Sequence, residues 1–192
     1  MTPVARVAAL VPAAGAARRF GSAKLLADFR GEPLLQHTLR CLLDTSVTEV
    51  VLVVAPGHTL DTVPATRDQR VTLVVNPAPD RGMFSSVLVG LASIPRDCAA
   101  LVLPADMPFV HVDTVASLVA AHAQQGDAVV ASYRGRRGHP LIVPPHVWLS
   151  LLGERPESNL KAALADAGVL LREVSVDDPG VSRDVDVPGD LS

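Results

Sequence analysis

Aromatic residues are scarce: one Trp, one Tyr and four Phe make up 3% of the 192 residues. A core must therefore be assembled from Val, Leu and Ala. That material suits a parallel sheet covered by helices, whose buried strands read as continuous aliphatic runs. Cysteine is almost absent. Cys41 and Cys98 are the only two, too few for a disulfide framework or a cysteine metal site, and each stands among apolar neighbours, as inert buried thiols do. Charge is also sparse, at 19% against 48% hydrophobic residues, which excludes a disordered chain. The formal net charge of −3 offers no broad basic surface, so no nucleic-acid partner is expected. No apolar run is long enough to span a bilayer, and no charged-then-apolar leader opens the sequence. A cytoplasmic protein without membrane contact is the expectation. Internal repeats and low-complexity tracts are missing too, and the length fits one domain over residues 1–192.

What is present alternates. Aliphatic runs at Val7–Val11, Val50–Ala55, Val71–Val75, Ala99–Leu103 and Ala128–Ala131 predict strands. Helix-period stretches lie between or after them at Leu34–Leu43, Ser85–Ala92, Thr114–Gln124 and Leu160–Ala167. Alternation of this kind predicts βαβ units with right-handed crossovers, hence a three-layer α/β/α, Rossmann-like fold. Pro33 reads as a helix start and Ser158 as an N-cap. Tyr133 to Pro140, with two glycines and three arginines, predicts a hairpin or loop. The strand that follows it need not be parallel, so the mostly parallel sheet gains a small antiparallel part. Pro77-Ala78-Pro79 and Pro144-Pro145 read as punctuation.

The first strand feeds Pro12-Ala13-Ala14-Gly15-Ala16-Ala17-Arg18-Arg19-Phe20-Gly21-Ser22-Ala23-Lys24. Small residues let a backbone approach a ligand closely, and the exposed N–H groups of such a turn cradle anions. Arg19 and Lys24 supply the positive charge a triphosphate needs. The segment is neither a Walker loop nor a G-x-G-x-x-G turn, yet it points to a nucleotide. Asp106, in Pro104-Ala105-Asp106-Met107-Pro108, stands just past the carboxyl end of a buried strand, the edge where open α/β sheets bind ligands. A carboxylate there can hold Mg2+, or Mn2+, together with substrate phosphates. Asp184 and Asp186 flank one apolar residue and share a side if extended. Ser85 or Ser86 reads locally as an N-cap for the helix after Gly82-Met83-Phe84.

The order Ala-Ala-Gly, Arg-Phe-Gly and Lys resembles the signature of the MobA-like nucleotidyltransferases. Within that family it looks most like the molybdenum cofactor cytidylyltransferase group. The resemblance runs from residue 7 to residue 190 and includes Asp106-Met107-Pro108, Gly138-His139-Pro140 and the closing Asp184-Val185-Asp186-Val187-Pro188-Gly189-Asp190. It departs at Phe84, where the family usually has a small residue. It departs again around Glu157-Ser158-Asn159-Leu160-Lys161, where the group's Gly-Asp-x-Gly-Ala-Arg stretch is absent.

The resemblance implies transfer of CMP from CTP to a phosphorylated acceptor such as molybdopterin, with release of pyrophosphate and a molybdoenzyme as possible client. Guanylyl transfer, sugar- or alcohol-phosphate nucleotidyl transfer, and a non-catalytic nucleotide- or cofactor-binding chaperone are the alternatives. It further implies that Lys24, Arg19 and Asp106 are catalytic. Pro12, Ala13, Ala14, Gly15, Ala16, Asn76, Gly82, Ser85 and Ser86 would contact nucleotide. Arg136, Gly138, His139 and Pro140 would lie on the acceptor side, with Arg134 and Arg137 as further anion contacts. Asp184 or Asp186 would join Asp106 on the metal. His58, like the remaining histidines, carries no such context.

Overall fold

The computed structural model describes residues 6–15, 24–154 and 159–186. In chain order its elements are β1 (Val7–Pro12), the short pair β2 (Asp28–Phe29) and β3 (Glu32–Pro33), α1 (Leu34–Leu43), β4 (Glu49–Val54), β5 (Val71–Val75) and α2 (Met83–Leu91). Then come β6 (Ala99–Val102), α3 (Val112–Gln125), β7 (Val129–Tyr133), β8 (Arg136–Val143), α4 (Pro145–Leu151), α5 (Leu160–Asp166) and β9 (Arg172–Ser175). Seven strands form one sheet in the order β5-β4-β1-β6-β8-β7-β9. β8 runs against both of its neighbours, whereas β5, β4, β1 and β6 are mutually parallel and β9 is parallel to β7. The mostly parallel sheet with a small antiparallel part is the one expected from the sequence.

Alternation along each strand divides the aliphatic side chains between two cores. Val7, Ala9 and Val11 of β1 join Val50, Leu52 and Val54 of β4 beneath α1 and α3. Ala8, Leu10, Val51 and Val53 face the other way, toward α2, α4 and α5. Each fully buried Leu or Val stabilises the fold by roughly 1.5–3 kcal/mol, and strands buried on both faces explain why the runs are continuous rather than alternating. Trp148 fills the second core and donates its indole N–H to the Cys98 carbonyl at 2.9 Å.

Several local readings need correction. Pro144-Pro145 is not mere punctuation, because α4 starts there with proline in its first turn, where no N–H is needed. β9 and the β2–β3 ribbon are too short to stand out from polar neighbours. The cap of α5 is Asn159, whose side chain accepts from the Ala162 N–H at 2.9 Å; Ser158 lies outside the described residues. Neither Ser85 nor Ser86 caps α2: the helix already begins at Met83, with Gly82 at the N-cap position.

Both cysteines are buried. Burial pushes the Cys41 thiol up to about 12 and raises Cys98 as well. Since the thiolate is the reactive species, neither thiol is expected to react with iodoacetamide at pH 8 in the folded protein, and both should react once urea opens the core. Mass-spectrometric counting of adducts checks this.

Candidate functional site at the carboxyl edge of the sheet

β1 is flanked by β4 on one side and β6 on the other. The chain leaves β1 toward β4 and β5, then returns across the sheet to β6. This reversal makes a topological switch point, and the crevice between diverging loops there is where open α/β sheets take ligands. Pro12, Ala13, Gly15, Lys24, Leu25, His58, Met83, Pro104, Ala105 and Asp106 line that crevice.

Lys24 and Asp106 are 82 residues apart in sequence, yet Lys24 Nζ donates to Asp106 Oδ2 at 2.8 Å. The same ammonium lies 3.5 Å from Asp186 Oδ1. One carboxylate oxygen from each of Asp106, Asp184 and Asp186 falls within 4.8 Å of the others. The chain end reaches this point because the Val185 N–H bonds to the Asp106 carbonyl at 2.9 Å and the Val185 side chain is fully buried. Asp184 and Asp186, on either side of it, are left at the surface facing the cleft. An all-oxygen, anionic donor set fits a hard divalent cation such as Mg2+ or Mn2+ rather than a soft one. Lys24 gives the cluster one compensating charge against three.

The other anticipated residues divide. Ala13 is buried and its N–H is committed to the Val53 carbonyl at 2.8 Å, whereas Gly15 is exposed at the cleft. Ala16 and Arg19 lie outside the described residues. Asn76, Ser85 and Ser86 are not brought to the cleft wall. They form a buried knot in which Asn76 Nδ2 donates to Ser85 Oγ at 2.8 Å and Ser86 Oγ at 3.0 Å, and Ser85 Oγ donates to the Gly82 carbonyl at 2.7 Å. This knot fixes the turn at Gly82 and thereby presents Met83, half exposed, to the cleft.

On the far side, β7 and β8 make a hairpin whose two turn residues, Arg134 and Gly135, both have positive φ. Arg134 stacks over the Tyr133 ring and Arg137 pairs with Glu173 at 2.8 Å. Arg136 is exposed at the hairpin end. His139 is close to them. Burial lowers its pKa, while the carboxylates of Asp106 and Asp184 push the other way. Pro140 is buried behind it, joined by a cis peptide bond. A Cβ on Gly138 would sit 1.8 Å from the Val181 carbonyl oxygen, so this glycine serves the close passage of the chain end over β8. His58 enters the site unannounced, and the signal for it was its place just past β4, after Pro56-Gly57.

These features define a class: a Rossmann-like α/β protein with a lysine and a carboxylate cluster facing each other across the switch point of its sheet. The profile of the MobA-like NTP transferase domain matches residues 9–173, and the chain belongs to that family of nucleotidyltransferases. It is 34% identical over 148 residues to a 2-C-methyl-D-erythritol 4-phosphate cytidylyltransferase of Streptomyces coelicolor, covering 73% of this chain and 50% of that one. It is 27% identical over 143 residues to a probable molybdenum cofactor guanylyltransferase of Bacillus cereus, covering 74% and 70%. The chain spans about half the length of the Streptomyces cytidylyltransferases it matches. The fold is shared with a Mycobacterium tuberculosis protein, Rv0371c, solved in complex with manganese: TM-score 0.75, 21% identity, 97% and 96% of the two chains covered. Among the described residues, no helix is long and apolar enough to cross a membrane.

Proposed function

We propose that this chain is a single cytoplasmic nucleotidyltransferase domain that transfers CMP from CTP to a phosphorylated acceptor, molybdopterin or the molybdenum cofactor, and releases pyrophosphate. The observation that carries this reading is the meeting of Lys24 with Asp106, Asp184 and Asp186 at the switch point. An acceptor phosphate oxygen attacks the α-phosphorus in line with departing pyrophosphate. Such a displacement needs positioning and charge stabilisation rather than covalent help. The N–H groups from Ala14 to Ala17 cradle the phosphates. Lys24, with Arg19, offsets the charge gathering on the α-phosphate and the leaving group. Asp106, with Asp184 or Asp186, would hold Mg2+ or Mn2+, which when bound would neutralise phosphate charge and help orient the triphosphate. The acceptor enters on the His139 side. No general base is needed, because a phosphate monoester is already largely ionised near neutral pH.

The choice of base rests on the Ala13-Ala14-Gly15 loop and on relatives that bear cytidylyltransferase names. Relatives named as guanylyltransferases make GTP the second reading. Pyrophosphate release measured with CTP, GTP, ATP and UTP, each with molybdopterin and with methylerythritol phosphate, separates the possibilities. The expected result is turnover with CTP and molybdopterin, at least about tenfold above any other pair, the scale set by one or two lost contacts to a base. Nucleotide binding with no turnover on any pair contradicts the enzyme.

A further inference from the structure

The two acids at the chain end reach Asp106 only because residues 178–186 are tied back across the sheet, and one side chain is central to that tie. Asp178 is 1% exposed. Its Oδ2 accepts from the His111 N–H at 2.9 Å and from Thr114 Oγ1 at 2.7 Å, and its Oδ1 accepts from the Gly180 N–H at 2.8 Å. α3 has no cap of its own, since His111 at the N-cap position makes no side-chain cap bond. Asp178 supplies that cap from 67 residues away, with its negative charge at the positive end of the helix dipole.

The geometry around it makes a seam between the segment that begins at Asp106 and the segment that ends at Asp186. A Cβ on Gly180 would lie 2.2 Å from the Phe109 carbonyl oxygen. The Arg183 guanidinium sits 3.7 Å above the Phe109 ring. Val181 and Val185 are fully buried, and the Val185 N–H closes the seam on the Asp106 carbonyl. At its open end the seam delivers three carboxylates, drawn from two distant parts of the sequence, to one point.

We propose that Asp178 is a positioning residue for the metal-binding acids: by locking the 178–186 strap to the first turn of α3, it sets where Asp184 and Asp186 stand relative to Asp106. This rests on the metal reading above and extends it to a residue that touches neither metal nor nucleotide. Mg2+ and Mn2+ ask for near-octahedral oxygens at fixed distance, so a strap free to slide holds them poorly even when every ligand is present. Asp178→Asn keeps the shape but cannot keep the bonds. Its single amide oxygen can serve α3 or Gly180, and its NH2 then faces a donor.

The test is Mn2+ titration of the purified chain, with free Mn2+ followed by electron paramagnetic resonance and stability followed by urea unfolding. Asp178→Asn is expected to weaken Mn2+ binding about 10–100-fold, the usual effect of removing a group that orients metal ligands. Thr114→Val removes one of the three bonds and leaves the carboxylate in place; it is expected to weaken binding several-fold and is the variant read if Asp178→Asn does not fold. Trp148→Phe loses a buried hydrogen bond in the opposite core and lowers stability, but is expected to bind Mn2+ as the unsubstituted chain does. Excess Mn2+ should restore transfer in Asp178→Asn. Undiminished Mn2+ binding in the Asp178 and Thr114 variants overturns the proposal, as does equal weakening in Trp148→Phe. A failure of the unsubstituted chain to take up Mn2+ overturns the metal reading itself.

Discussion

Replacing Asp106 with alanine is expected to leave a folded protein whose nucleotidyl transfer falls by on the order of 10³-fold, the scale on which a missing group that balances phosphoryl charge is felt. Folding survives because the side chain is part-exposed and its hydrogen bond is to Lys24, which can turn to solvent. Activity is expected not to survive, because of the three clustered acids only Asp106 follows β6, the other two coming from the 178–186 strap. The remaining two acids belong to one short strap and cannot surround a cation from both walls. The check is pyrophosphate release under saturating CTP, alongside circular dichroism and urea unfolding. A variant that keeps most of its turnover removes Asp106 from the mechanism.

Lys24→Ala should move two quantities in opposite directions. Turnover is expected to drop about 10²–10³-fold, as for loss of one preorganised charge-stabilising donor, and the CTP Michaelis constant to rise with it, because ground state and transition state both carry the phosphate charge that Lys24 meets. Metal binding without nucleotide should instead tighten. Lys24 Nζ lies 2.8 Å from Asp106 and 3.5 Å from Asp186, occupying oxygens that a divalent cation would use. Removing the ammonium removes a competitor and raises the negative potential of the cluster. Steady-state kinetics and a Mn2+ titration of the same preparation read both effects. No change in either kinetic constant would show that the loop is not a phosphate site.

Much of this could be seen in the order of residues. β1, β4 and β6 announce themselves because both faces are buried, so each reads as an unbroken aliphatic run that stops at small residues or proline. Asp106 stands out for a related reason: an acid just past the carboxyl end of such a run, in a chain that also carries a candidate phosphate loop, points to the ligand edge. What no local pattern contains is the strand order. Asp184 and Asp186 resemble any solvated acids until the sheet places β6 beside β1 and the chain end crosses over β8. Ser85 and Ser86 look like helix caps along the sequence, and the resemblance adds them and Asn76 as nucleotide contacts; the hydrogen bonds that join the three appear only once the loop after β5 folds onto α2. Asp178 is the converse case, an acid with no motif around it that becomes a buried cap only when α3 arrives from elsewhere. His58 and Met83 were hidden for a related reason, since a cleft wall belongs to no single segment.

The proposed transfer requires Lys24, the loop before it and the distant acids to serve one polyphosphate through one cation. Anomalous diffraction from crystals grown with CTP and Mn2+ tests this most directly. The predicted result is a manganese peak coordinated by Asp106 and by Asp184 or Asp186, with the phosphates of CTP on its open side and Lys24 turned from Asp106 onto a phosphate oxygen. A manganese peak away from these carboxylates, or CTP seated where Lys24 cannot reach its phosphates, contradicts it.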